Sequence, residues 1–197
     1  MKVTYSDLKN KRVFISGGGS GIGATIVEHF CEQKSEVYFI DIDVRSSNKL
    51  IKNIKKKGFK IPKFIECNIL DVKKLQNIIK DIISKKGAIH CLINSAANDD
   101  RHTTEQVDEK YWENRMGINL KHYFFAAQAV VKGMKKIKSG SIVNLSSVSW
   151  MLGEGDKVVY ETAKSAVVGL TRSFAQEFGK YNIRTNSVIP GSIATER

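Results

Sequence analysis

The 197-residue chain contains no run of about 18 uncharged apolar residues, so no part of it reads as a membrane span. Its start, Met1-Lys2-Val3-Thr4-Tyr5, lacks the apolar stretch of a secretory leader. Cysteine is sparse and odd in number: Cys31, Cys67 and Cys91 lie far apart in apolar surroundings. They read as reduced core residues of a cytoplasmic protein, with neither a disulfide framework nor metal-ligand spacing. Only two prolines interrupt the chain, and no short internal period marks a repeat array. Acidic residues are few, 20 against 32 basic ones, which leaves a formal net charge of +12. The excess is mostly lysine, in clusters such as Lys55-Lys56-Lys57 and Lys135-Lys136 where helix surfaces are expected. Arginine–aromatic interleaving, helix-turn-helix and zinc-finger spacings are missing, which argues against a nucleic-acid partner. The charge instead favours small anionic ligands.

What is present is alternation between short β-branched runs and longer amphipathic stretches. Strands are expected over 12–15, 37–40, 63–65, 90–94, 141–145 and 184–188. Helices are expected from a glycine-rich turn to about residue 34, then over 46–57, 72–85, 108–134 and 159–178. The fourth reads as one long helix or as two joined near Gly117. Six strands alternating with helices predict an α/β fold, a doubly wound parallel sheet covered on both faces. No linker divides it, so residues 1–197 read as a single unit. The ending at Thr195-Glu196-Arg197, just after the sixth strand and a Pro190-Gly191 turn, leaves that strand as an edge. A C-terminally truncated chain is the expectation.

Ser16-Gly17-Gly18-Gly19-Ser20-Gly21-Ile22-Gly23 lies between the first strand and the first helix. There the chain turns tightly, approaches a pyrophosphate with its backbone, and starts a helix whose N-terminal amides face the anion. Asp41, with Asp43 a nearby competitor, follows the second strand, where a carboxylate accepts both hydroxyls of an adenosine ribose. That carboxylate repels a 2′-phosphate, so the pattern favours NAD over NADP.

Tyr160 and Lys164 stand four residues apart on a predicted helix and share one face. A free tyrosine is a poor base at neutral pH. An ammonium and a cationic nicotinamide nearby would lower its pKa, and roughly three units of lowering take about 4 kcal/mol. Asn94 ends the fourth strand, and Ser146 and Ser147 end the fifth, at the carboxyl edge where open α/β sheets bind ligands.

Together these motifs resemble the short-chain dehydrogenase/reductase family, single-domain nicotinamide-dependent oxidoreductases with a Rossmann-type fold. Its nucleotide motif matches Ser16 to Gly23, with Ser16 in place of threonine, and its Asn-Asn-Ala-Gly segment corresponds to Asn94-Ser95-Ala96-Ala97. The resemblance puts the catalytic set on Asn119, Ser147, Tyr160 and Lys164; Ser147 is preferred because the family's serine precedes its tyrosine by 13 residues. It puts cofactor contacts on Ser16, Gly17, Ser20, Gly21, Ile22, Gly23, Asp41, Asn68, Ile69, Asn94, Ala96, Tyr160 and Lys164. Pro190, Ile193 and Thr195 match the family's Pro-Gly-x-x-x-Thr element on the nicotinamide side. Asn119 is implied to hold water for a proton relay.

Within the family the chain is similar to bacterial aldose 1-dehydrogenases, D-xylose 1-dehydrogenases among them. Asn98-Asp99-Asp100-Arg101-His102, Ser149-Trp150 and Tyr160-Glu161-Thr162-Ala163-Lys164 carry that likeness. It implies hydride transfer from C1 of a sugar to NAD, giving a lactone. Asn98, Ser147, Ser149, Trp150 and Tyr160 are the expected substrate contacts, with Asp99 and His102 expected to be structural. A 3-oxoacyl or hydroxysteroid-type reductase shares these residues, and a truncated form that binds nucleotide without turnover is a further alternative. The resemblance also implies a homodimer through the helices at 108–134 and 159–178, a homotetramer if a seventh strand follows, and no metal.

Overall fold

The computed structural model describes residues 3–195. The chain enters β1 (Arg12–Ser16), turns into α1 (Gly21–Glu32), and continues through β2 (Glu36–Asp41), α2 (Val44–Lys56), β3 (Lys63–Glu66), α3 (Val72–Lys86) and β4 (Cys91–Asn94). Then come α4 (Glu109–Met116), a π-helical turn (Gly117–Lys121) and α5 (His122–Ile137), followed by β5 (Gly140–Leu145), α6 (Ser149–Leu152), α7 (Val158–Phe178) and β6 (Ile183–Val188). All six strands lie in one sheet in the order β3-β2-β1-β4-β5-β6, and every neighbouring pair is parallel. The expected fold class is the observed one.

Strand alternation divides the core between the two faces. Val13, Ile15, Val37 and Phe39 point to the side packed by Val27 and Cys31 of α1 and Leu50 and Ile54 of α2. Phe14, Tyr38, Ile40, Leu92 and Ile142 point to the other side, against Leu75 and Ile79 of α3, Ala126 and Val130 of α5 and Phe174 of α7. Burial of both faces explains why the strands read as nearly continuous apolar runs. The helices have clear local causes at several ends. Asp43 accepts from the Ser46 amide, which starts α2 two residues before the expected boundary. Asp71 and Asp108 cap α3 and α4 in the same way. The stretch expected as one helix or two is broken where anticipated, near Gly117, by the π turn. The short α6 was not expected.

One buried polar ladder crosses the sheet. Asn94 Nδ2 donates to Asn144 Oδ1 (2.9 Å), Asn144 Nδ2 donates to Thr171 Oγ1 (3.0 Å), and Thr171 Oγ1 donates to the Val167 carbonyl (2.7 Å). It fastens β4 to β5 and β5 to α7 directly beneath the carboxyl edge. Asn144→Ala strands the Asn94 amide in the core, and an unsatisfied buried group costs roughly 1–3 kcal/mol. Urea unfolding of that variant should show a lower midpoint at unchanged slope; a wild-type midpoint would show that the ladder contributes nothing.

Candidate active site

Every functional loop leaves the sheet at the carboxyl ends of its strands, and between them opens a cavity of about 640 Å³. Its floor is a close backbone contact. Gly17 has φ +69° and a Cβ there would sit 2.6 Å from Ala96 Cα, while a Cβ on Gly23 would come within 1.8 Å of the Gly17 carbonyl oxygen. Only glycine fits either position. Gly17, Ser20, Gly21, Ile22 and Gly23 therefore present backbone and the first turn of α1 to the cavity. That cradle, which side chains would fill, suits a pyrophosphate.

Asp41 lines the same cavity. Its Oδ2 accepts from the Gly19 amide (2.8 Å) and its Oδ1 from the Asp43 amide (2.9 Å), so the carboxylate is held in place as an acceptor. Asp43 is spent on capping α2. Asn68, Ile69, Ala96, Pro190, Ile193 and Thr195 border the cavity as well, and Asn68 Oδ1 accepts from the Leu70 amide. The residues present fit a dinucleotide.

Two expected cofactor contacts do not face the cavity. Ser16 is fully buried, and its hydroxyl accepts from the Ser95 and Ala96 amides at 3.2 and 3.4 Å. Asn94 is equally buried in the polar ladder. Both shape the turns from beneath because strand-end side chains alternate, and these two point into the core rather than along the edge.

The two serines after β5 divide as the spacing argument required. Ser146 is buried and donates to the Lys164 carbonyl (2.7 Å), anchoring α7. Ser147 borders the cavity with Tyr160, close enough for its hydroxyl to lower the Tyr160 phenol, and lies 2.9 Å from the buried Ser149 hydroxyl. On α7, Val159, Ala163, Val167 and Phe174 form the buried stripe, and Lys164 lies on its flank, itself almost wholly buried. Lys164 Nζ donates to the Leu145 carbonyl (2.7 Å) and to Tyr123 Oη (3.0 Å), and Tyr123 Oη donates to the same carbonyl (3.0 Å). Burial lowers the Lys164 pKa to about 7, with the Asp99 charge opposing the shift.

The protein's own groups, without the nicotinamide charge that the expectation includes, do not by themselves depress the tyrosine pKa. Burial pushes the Tyr160 phenol up, the Ser147 hydrogen bond pulls it down, and the Asp99 charge raises it again. Lys164 is 5.5 Å from the Tyr160 ring centre, but its ammonium is turned to Tyr123 and Leu145.

Three further expected site residues are placed as follows. Asn119 is fully buried: its Oδ1 accepts from the Asn98 amide and its Nδ2 donates to the Asn98 carbonyl, both at 2.9 Å. Its side chain thus fixes the loop after β4. Trp150 is not among the cavity-lining residues, and its indole Nε1 is buried without a partner; it follows Ser149 into α6, which turns it away. Asn98 lines the cavity, with its Oδ1 accepting from the Asp100 amide (2.8 Å).

Sequence reasoning missed Glu154 and Lys157, which border the cavity beside Asp99 and Arg101. The polar Gly153-Glu154-Gly155-Asp156-Lys157 run just before the tyrosine was the available signal. It also missed His122, whose Nε2 donates to the Ala96 carbonyl (3.1 Å), whose ring stacks on Tyr123, and whose pKa burial lowers to about 3.

The lysine gives a pH test. Unfolded, Lys164 takes up its proton near its ordinary pKa; folded, it resists protonation down to about 7. Between these values the unfolded chain binds more protons, so the Lys164 contribution to stability rises as pH climbs through that window and falls as pH drops. Unfolding titrations of wild type and Lys164→Met should diverge there, the wild type gaining relative stability toward alkaline pH. Parallel curves would mean that Lys164 is not so shifted.

The comparisons agree with this geometry. The family model for short chain dehydrogenases matches residues 11–197. The D-xylose 1-dehydrogenase of Caulobacter vibrioides is 42% identical over 194 residues, covering 98% of this chain and 76% of the relative. A Rhizobium meliloti (strain 1021) protein described as a probable galactose dehydrogenase is 39% identical over 193 residues, 98% of this chain and 75% of its own. The ligand-free aldohexose dehydrogenase of Thermoplasma acidophilum superposes with a TM-score of 0.85 at 29% identity, covering 98% of this chain and 70% of that one. With the family match over nearly the whole chain and relatives at 39% and 42% identity, the chain belongs to the short-chain dehydrogenase family of oxidoreductases.

Proposed function

We propose that the protein is an aldose 1-dehydrogenase, oxidising C1 of a cyclic, D-xylose-like sugar to a lactone with NAD. The observation that carries this reading is the polarity of the cavity beyond Ser147 and Tyr160, where Asp99, Arg101, Glu154 and Lys157 form the border. An acyl chain or steroid would shield those polar groups from water with no hydrogen bond to offer them, whereas sugar hydroxyls donate to and accept from them. The D-xylose and galactose dehydrogenases among its relatives support the same class.

In this reading the turn at Gly17–Gly23 and the first turn of α1 hold the pyrophosphate. Asp41 accepts the adenosine ribose hydroxyls and repels a 2′-phosphate. Asn68 and Ile69 border the adenine; Pro190, Ile193 and Thr195 border the nicotinamide. When bound, NAD supplies the hydride acceptor. Ser147 holds the C1 oxygen of the sugar, and the Tyr160 phenolate takes the proton of that hydroxyl as the C1–H electron pair departs and the C=O bond forms. Lys164, once its ammonium turns from Tyr123 and Leu145 toward the cavity, stabilises the phenolate and holds a ribose hydroxyl. The cytoplasm is the proposed location, and a homodimer through α4, α5 and α7, or a homotetramer in a longer chain, the proposed assembly.

Assayed with NAD against pentoses, hexoses, 3-hydroxyacyl thioesters and hydroxysteroids, the chain should form NADH with the aldoses. Tyr160→Phe should lower that rate by about 10²–10⁴-fold, the usual worth of a general base, while NAD still binds. Turnover of thioesters or steroids with no sugar turned over would overturn the aldose reading and leave the family assignment intact. Asp41→Ala should weaken NAD by about 10- to 100-fold, the worth of hydrogen bonds to a charged group, and narrow the preference over NADP. Tighter NADP than NAD binding by the wild type would show that Asp41 does not have this role.

A further inference from the structure

The helix that carries Tyr160 enters without a cap of its own. Lys157, the residue before α7, offers no side-chain acceptor to the first turn, and its ammonium is paired with Glu154. The approach runs through Gly153 and Gly155, both at positive φ with nothing packed within 4 Å of a would-be Cβ. A 21-residue helix begun from such a loop needs its first amides satisfied from elsewhere.

His102, from the loop after β4, meets that need. It is buried, and its Nε2 accepts from the Val159 amide (3.3 Å), one residue before the tyrosine. Its own amide donates to the Asp156 carbonyl (2.7 Å), and Arg101 next to it pairs with the Asp156 carboxylate. Because Nε2 accepts from an N–H, the ring proton sits on Nδ1, which has Tyr111 Oη at 2.9 Å and the Asp100 carbonyl at 3.2 Å as acceptors. Tyr111 packs edge-on against the imidazole, and Arg115 covers the Tyr111 ring while its guanidinium pairs with Asp100 (2.9 Å). The imidazole therefore joins three elements: α4, the loop after β4 and the entry of α7.

We infer that His102 is a positioning residue for Tyr160, a neutral imidazole that sets the height of the α7 entry, and so the reach of the phenol, from the loop that borders the substrate. The inference rests on the proposed role of Tyr160 as base. A charged imidazole at this place would lose the acceptor and set a cation against a helix N-terminus. Asn98 and Asp99, on the same loop, are thereby held in one frame with the base.

Three measurements test this. In the wild-type chain, long-range ¹H–¹⁵N spectra should show His102 as the neutral Nδ1–H tautomer; an Nε2–H tautomer overturns the inference. His102→Phe keeps the bulk and removes the acceptor. Amides 158–161 should then exchange faster and kcat should fall by about 10- to 100-fold, as for a misplaced reacting group, with NAD affinity unchanged. His102→Gln, whose Oε1 reaches the place of Nε2, should restore both slow exchange and most of kcat. Equal loss in the two variants, or wild-type exchange and rate in His102→Phe, overturns it. The tautomer and exchange are read on the chain alone, so they stand apart from the choice of substrate. If sugars are not oxidised while both readouts hold, the substrate reading fails and the positioning role survives.

Discussion

The close approach of the turn after β1 to the loop after β4 is the contact on which the rest of the site depends. Gly17 lies against Ala96 with no room for a Cβ, and the Ser16 hydroxyl collects the Ser95 and Ala96 amides. The contact exists because β1 and β4 are sheet neighbours although two strands and three helices lie between them in sequence. From β1 the chain runs outward to β2 and β3, then returns to build β4, β5 and β6 on the other side. Loops on the two sides of that reversal diverge, and a cavity opens between them. Tyr160, the proposed base on α7, is brought to the same place through β5, which the Asn94–Asn144–Thr171 ladder fastens to β4 and α7.

Beneath this opening the protein keeps its titratable groups close to neutral. Burial raises the Tyr160 phenol and brings Lys164 down to about 7, and it holds His122 neutral. A charge arriving in such surroundings acts strongly because little water screens it. The lysine is parked rather than committed: its two acceptors, Tyr123 Oη and the Leu145 carbonyl, lie at the cavity's inner wall. A site arranged this way is not obliged to hold a buried phenolate and ammonium before its ligands arrive, at the cost such a pair carries.

Much of this was legible in the sequence. Strand alternation on both faces, the glycine turn, Asp41 and the i,i+4 pair Tyr160–Lys164 are local patterns, and each lies where periodicity and spacing put it. Ser147 was separable from Ser146 by its distance from Tyr160, and the structure sends the two hydroxyls to opposite sides. The failures concern side-chain direction and long-range partners. Ser16 and Asn94 carry motif positions but face the core; Asn119 spends its carboxamide on a backbone 21 residues away; Trp150 is turned aside by a four-residue helix with no sequence signal. The His122–Tyr123–Lys164 cluster and the reach of His102 to Val159 arise from packing between distant elements, which no window on the chain reveals.

The excess of positive charge also looks different once placed in space. Lys52, Lys55, Lys56, Lys73, Lys74, Lys85 and Lys136 are exposed on helices α2, α3 and α5. At the proposed substrate end, by contrast, three cations have an acid against them: Arg101 with Asp156, Lys157 with Glu154, Arg115 with Asp100. Pairs as exposed as Arg101–Asp156 contribute little to stability. Their effect is to hold loop to loop and to cancel charge locally. A chain of net charge +12 then presents two electrical characters. Its surface field draws in an anion such as the proposed dinucleotide, over distances that salt screens to about 10 Å. Its opposite end, neutralised pair by pair, offers fixed donors and acceptors that suit the proposed substrate, an uncharged molecule rich in hydroxyls. Attraction at long range and recognition at short range are thereby assigned to different residues, and neither requires the other to be relaxed.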